Sequence, residues 1–136
     1  VGVCRTDEIA LSVLTTVIGH QVDKGWAIVD ACWMAMSRDR GTQKQAQDFG
    51  YGQVCDLEGQ VLDGYVLTGA NQEHGIVSRA DGQVPGEEGG IAQRFPVGRQ
   101  LRILPNHACA TGAQYGEYHA VEGSTVKAIW PRFGGW

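Results

Sequence analysis

Residues 9–18, Ile-Ala-Leu-Ser-Val-Leu-Thr-Thr-Val-Ile, constrain the fold more than any other stretch of the chain. Ile9, Leu11, Val13, Thr15 and Val17 alternate with Ala10, Ser12, Leu14, Thr16 and Ile18, so the run has period two, is rich in β-branched residues and is apolar on both faces. It predicts a long interior strand. The turn Asp23-Lys24-Gly25 leads into a second apolar run at 26–31, and the two predict a hairpin. Further strands are predicted at 51–55, 65–69, 74–79, 100–104, 114–121 and 125–130, punctuated by turns at 56–59, 80–82 and 122–124. Twenty glycines among many short strands predict a mainly β fold, an antiparallel barrel or sandwich. The polar stretch 37–50 reads as a long loop with one short helical turn at 44–47, and loops of that length in compact domains are often functional. Residues 85–90 read as a surface loop, and the aromatic stretch 130–136 as a packed terminal tail.

A chain of 136 residues, 43% hydrophobic and 19% charged, is expected to form a single domain over 1–136 with one core. A net charge of -4 with only 11 scattered basic residues argues against nucleic acid or an anionic membrane as partner, since both demand clustered Lys and Arg. No apolar run approaches the roughly 20 residues of a spanning helix, and no signal peptide is recognisable. A soluble, cytoplasmic protein is the expectation. Cysteines at 4, 32, 55 and 109 form no Cys-x-x-Cys pair, so reduced thiols are expected. The chain opens Val1-Gly2-Val3-Cys4 and has no Met before Met34, which suggests a piece of a longer polypeptide.

The stretch Leu104-Pro105-Asn106-His107-Ala108-Cys109-Ala110-Thr111 carries the sharpest chemistry. If the backbone stays extended, His107 and Cys109 point to one face, and an imidazole with a thiol suits Zn²⁺. Two protein ligands leave coordination positions open, as a metal that handles substrate requires. Other motifs are poorer. No Gly-x-Gly-x-x-Gly or phosphate-binding glycine loop is present, and no nucleophile elbow. Asn71-Gln72-Glu73-His74-Gly75 reads as a solvated hairpin end, because Glu73 and His74 would face opposite sides of a strand. His20 and His119 read as structural, and Asp30 and the Ser37-Arg38-Asp39 run as hydrogen-bonding to loop backbone.

Four stretches, 29–39, 71–75, 104–111 and 130–132, together resemble successive signatures of the D-serine dehydratase-like C-terminal domain, in order and spacing across nearly the whole chain. Cys32 stands where that pattern has a small Gly. The resemblance implies the C-terminal part of a pyridoxal-phosphate (PLP) enzyme whose N-terminal, alanine-racemase-like barrel binds the cofactor and is absent here; Lys24, Lys44 and Lys127 match none of the family's cofactor motifs. It implies His107 and Cys109 as metal ligands, with Zn²⁺ the expected ion and Mn²⁺ or Mg²⁺ the alternatives. It also implies a D-3-hydroxy amino acid substrate, such as D-serine or D-threo-3-hydroxyaspartate, and a homodimer. Family members with a carboxylate at the position of Cys109 resemble aldolases, so Cys109 favours the dehydratase. Retro-aldol cleavage is the alternative chemistry. A third possibility is a free-standing β-barrel binding module with His107 and Cys109 as core residues.

Overall fold

The computed structural model describes residues 4–86 and 90–134. Along the chain lie β1 (Val13–Gln21), β2 (Trp26–Val29), α1 (Trp33–Met36), β3 (Gly52–Cys55), β4 (Val61–Ala70) and β5 (Gly75–Arg79). They are followed by α2 (Ile91–Arg94), β6 (Gln100–Pro105), α3 (Ala108–Gly112), β7 (Glu117–Glu122) and β8 (Thr125–Pro131). Six strands close an antiparallel barrel in the order β1-β2-β5-β4-β3-β6, with β6 pairing back on β1 through Val13↔Ile103 and Thr16↔Gln100. Of the two β architectures the strand pattern allows, the chain adopts the barrel. Register shifts at Val17/Gly19, Gln53/Cys55 and Leu67/Gly69 mark irregularities of the kind that bend strands around a small barrel.

A closed single-layer barrel has one dry face. Val13, Thr15 and Val17 of β1 therefore point inward and are buried, while Leu14 and Ile18 on the outer side are 60% and 51% exposed. The first run is thus shorter and less interior than its apolarity predicts: Thr6–Glu8 form a 3-10 turn, and the strand begins at Val13. Val29, Val54, Leu67, Val77, Leu101 and Ile103 complete the inner wall. The predicted 23–25 turn is present, as a 3-10 turn over Val22–Lys24 closed by the bond from Gly25 N–H to the Val22 carbonyl, 2.9 Å.

Register also tells which segments share an end. The pairs Val29↔Gly75, Ala70↔Gly75 and Gly52↔Pro105 gather the C-termini of β2, β4 and β6 at one mouth with the N-termini of β3 and β5. Two glycines permit the tight packing there. A Cβ on Gly75 would lie 2.1 Å from the Ala31 carbonyl oxygen, and Gly50, at φ +61°, would meet the Leu67 carbonyl oxygen at 2.3 Å. Met36 of α1 is buried in the core. At the opposite mouth Phe95, fully buried, stands edge-on to Tyr65 with centroids 4.9 Å apart, and His20 Nε2–H donates to the Phe95 carbonyl at 2.7 Å. His20 is structural, as expected.

Several local features depart from expectation. The 37–50 loop holds turns at 41–44 instead of a helical turn at 44–47, because Thr42 Oγ1 donates to Asp48 (3.1 Å) and accepts from Phe49 N–H (2.9 Å), offering the backbone non-helical partners. The predicted 114–121 strand begins only at Glu117, and β7 pairs with β8 alone, outside the barrel. The terminal tail is not packed: Trp130 is 60% exposed and Phe133 93%. Residues 135 and 136 of that tail, and 87–89 of the 85–90 loop, lie outside the described residues. No helix among the described residues is long and apolar enough to cross a membrane.

Candidate metal centre

The first mouth collects three of the sequence stretches singled out above. Trp33 N–H donates to the Asn71 carbonyl at 3.0 Å, tying α1 to the β4–β5 turn. Thr111 Oγ1, buried, donates to the buried Met36 carbonyl at 2.8 Å and ties α3 to α1. Asn106 Nδ2 donates to the Gly50 carbonyl at 2.7 Å and to Thr42 Oγ1 at 3.2 Å, anchoring the 37–50 loop beside the end of β6. The long loop and the His-Ala-Cys motif are thereby neighbours.

His107 and Cys109 do not share the face of one extended strand. The chain leaves β6 at Pro105; His107 is still extended (φ -135°, ψ 92°) but serves as N-cap of α3, and Cys109 is the second residue of that helix. Ala108, Cys109 and Ala110 carry no branched side chain to resist helix, and the turn closes with Thr111 N–H to the His107 carbonyl (3.1 Å) and Ala113 N–H to the Cys109 carbonyl (3.0 Å). Both side chains remain on the first turn of α3 and both are exposed. Neither is a core residue.

The imidazole is not alone. His107 Nδ1 contacts the carboxylate of Asp39, from the 37–50 loop. Sequence reasoning gave Asp39 only a local role, which it does play, since its own N–H donates to Ser37 Oγ at 3.2 Å. Nothing in spacing could reveal a partner 68 residues away. Arg38, next door, stacks its guanidinium over Trp33 at 4.3 Å, and Arg40 pairs with Asp48 at 2.5 Å.

The remaining candidates are dispersed. All four cysteines are free. Burial, and then the charge of Asp56, push the Cys55 thiol up to about 11, so it stays protonated and inert at neutral pH. Cys32 is N-cap of α1, near the half-buried Tyr115, whose hydroxyl burial pushes up, with further contributions from Cys32 and Asp30. Asp30 accepts from Thr15 Oγ1 at 2.6 Å and Thr16 N–H at 2.8 Å. Asn71 and His74 contact each other at 3.0 Å at the β4–β5 hairpin end, as expected, and His119 sits exposed on β7 beside Glu117. Lys24 lies over Trp26, Lys127 pairs with Glu122, and Lys44 is exposed in the long loop. No group of three or more His, Cys, Asp or Glu converges among the described residues. His107 and Cys109 thus offer two accessible donors whose chemistry fits a borderline-soft divalent ion with open positions.

The chain belongs to the family described as putative serine dehydratase domain, whose model matches residues 10–121. Over all 136 residues it is 66% identical to the D-threo-3-hydroxyaspartate dehydratase of Delftia sp. strain HT23, of which it covers 35%. The solved structure of that enzyme superposes with a TM-score of 0.93 over 99% of this chain. Two solved variants of it match equally well; they carry alanine for a histidine and, two positions further on, alanine for a cysteine, the latter in the metal-free form. An alanine-racemase-like protein of Idiomarina loihiensis is 48% identical with a TM-score of 0.86, over 99% of this chain and 34% of its own. The D-serine dehydratase of Schizosaccharomyces pombe is 29% identical over 96% of this chain and 28% of its own length. The chain spans about a third of the length of the curated relatives it matches.

Proposed function

We propose that this chain is the metal-bearing β domain, over 1–136, of a PLP-dependent dehydratase that removes water from a D-3-hydroxy amino acid, D-threo-3-hydroxyaspartate or D-serine, giving a 2-oxo acid and ammonia. The observation that carries the reading is the His-Ala-Cys motif at 107–109. It is the one place in the chain where a cysteine follows a histidine by two, the spacing of the two positions varied in the Delftia enzyme.

When bound, PLP supplies the electron sink and the divalent ion supplies Lewis acidity toward a 3-hydroxyl that leaves poorly as hydroxide. His107 and Cys109 would hold the ion, and their softness would favour Zn²⁺ over Mn²⁺ or Mg²⁺. This chain would contribute two side-chain donors, and the preceding domain and substrate would supply the rest. Exposure of both side chains at the barrel mouth supports that role. The reading carries with it a preceding PLP barrel, a homodimer and a cytoplasmic location.

In the intact polypeptide, Cys109→Ala and His107→Ala are each expected to lower metal occupancy and turnover by about 10- to 100-fold or more, taking the loss of supporting contacts as the lower guide. Chelation should mimic both, and added Zn²⁺ should restore the wild type alone. Full activity and wild-type metal content in either variant would return the two residues to a structural role.

A further inference from the structure

We propose that Asp39 is the positioning residue of this site: its carboxylate takes the Nδ1–H of His107 and so fixes Nε2 as the nitrogen presented to the metal. The inference rests on the reading of His107 as a ligand. An ionised carboxylate accepts hydrogen bonds and cannot donate them, so the Nδ1 that faces Asp39 carries the proton. In the neutral ring the lone pair is then on Nε2, and the negative partner also makes that nitrogen a stronger donor.

The surroundings hold Asp39 to this task. The flanking guanidinium groups are engaged elsewhere, Arg38 over Trp33 and Arg40 with Asp48, and among the described residues the Asp39 carboxylate has no ion-pair partner other than His107. Its approach is set by Ser37, the one non-glycine residue at positive φ among those described. At φ 69° and ψ 174° Ser37 occupies a region that is essentially glycine's own, and the chain leaves α1 in this strained conformation two residues before Asp39. Strain of this kind persists only where neighbours over-determine it. Here Ser37 N–H donates to the Trp33 carbonyl at 2.7 Å, Ser37 Oγ accepts from Asp39 N–H at 3.2 Å, and the adjacent Met36 carbonyl is held by Thr111 of α3 at 2.8 Å. The same bonds therefore lock α1 onto α3 and aim Asp39 at His107.

The test titrates Zn²⁺ against a chelator of known affinity in the intact polypeptide, wild type and variants, and reads the His107 ring nitrogens of the metal-free protein by ¹⁵N NMR. Asp39→Ala should weaken Zn²⁺ binding by about 10- to 100-fold and shift His107 toward the Nε2–H tautomer, whereas the wild type shows Nδ1–H. Asp39→Asn, whose amide oxygen still accepts the Nδ1–H, should keep the tautomer and lose less affinity. A purely structural Asp39 would leave the tautomer unmoved. Wild-type affinity in Asp39→Ala, or an Nε2–H tautomer in the wild type, overturns the proposal; if Asp39→Ala does not fold, the wild-type tautomer and Asp39→Asn decide. His107→Ala and Cys109→Ala separate the two levels. If both bind Zn²⁺ as the wild type does, the metal reading fails and takes this one with it; if both lose it while Asp39→Ala does not, only Asp39's role falls.

Discussion

Cys55 and Cys109 carry the same thiol into opposite surroundings, one buried at the end of β3 beside Arg102 of β6 and one on an exposed helical turn. Cys55 is held protonated, with its pKa raised to about 11 by burial, so folding favours its neutral form. The sign follows from linkage: between the unfolded and folded values the native state binds more protons, and stability falls as pH rises. That contribution is whole below about pH 8.5, where an ordinary thiol begins to ionise, and is lost as pH climbs towards 11. Urea midpoints measured from pH 8 to 11 should therefore decline less steeply in Cys55→Val than in the wild type; identical slopes would contradict this. Ser37 gives a second check. Ser37→Ala keeps the strained backbone and removes the Oγ acceptor, costing about 1 kcal/mol, while Ser37→Gly relieves the strain and should match or exceed it in stability by comparison of urea midpoints. As candidate ligands, His107 and Cys109 were legible in the sequence because the motif is contiguous. Asp39 was not, since only barrel closure brings the long loop to the end of β6.

Strands were readable where alternation of β-branched residues meets a Gly or Asp turn, and every barrel strand overlaps a predicted one. The helices were not, for a physical reason: at four or five residues they are too short to show a 3.6-residue period. The turn into α3 at His107 was missed for the same cause, which turned an expected extended pair into an N-cap and its second helical neighbour. The bond between Thr111 and the Met36 carbonyl should be measurable in the α1–α3 contact: Thr111→Val leaves a buried carbonyl without this donor, for a loss of about 1–3 kcal/mol in urea unfolding. Gly75→Ala is the harsher change, because the added methyl meets the Ala31 backbone and cannot be relieved by a rotamer; a loss of about 3 kcal/mol or a failure to fold is expected. The β7–β8 hairpin belongs to a different regime. Two strands pairing only with each other are marginal alone, so their amides should exchange much faster than those of the barrel in hydrogen-exchange mass spectrometry of residues 1–136.

For the whole molecule, a mainly β class followed from strand number and punctuation, whereas the choice of barrel over sandwich came only with the pairing of β6 back on β1. On the proposed function, the two donors at the barrel mouth need a preceding PLP domain to complete the reaction centre. Residues 1–136 alone are expected to show neither pyridoxal absorbance nor turnover. A Schiff-base band reduced onto Lys24, Lys44 or Lys127 would contradict that. Solubility of residues 1–136 alone should be poor as well, because Leu14, Ile18 and Val22 face outward, as do Ile129 and Trp130 on the hairpin. The proposed function has the intact polypeptide dehydrate a D-3-hydroxy amino acid with help from a metal at His107 and Cys109. Its most direct test incubates the intact polypeptide with D-threo-3-hydroxyaspartate and with D-serine, with and without chelator, and quantifies 2-oxo acid, ammonia, glycine and aldehyde. The expected products are 2-oxo acid and ammonia in equal amounts, abolished by chelation and restored by Zn²⁺; glycine with an aldehyde as the main products, or turnover indifferent to metal removal, would contradict the proposed function.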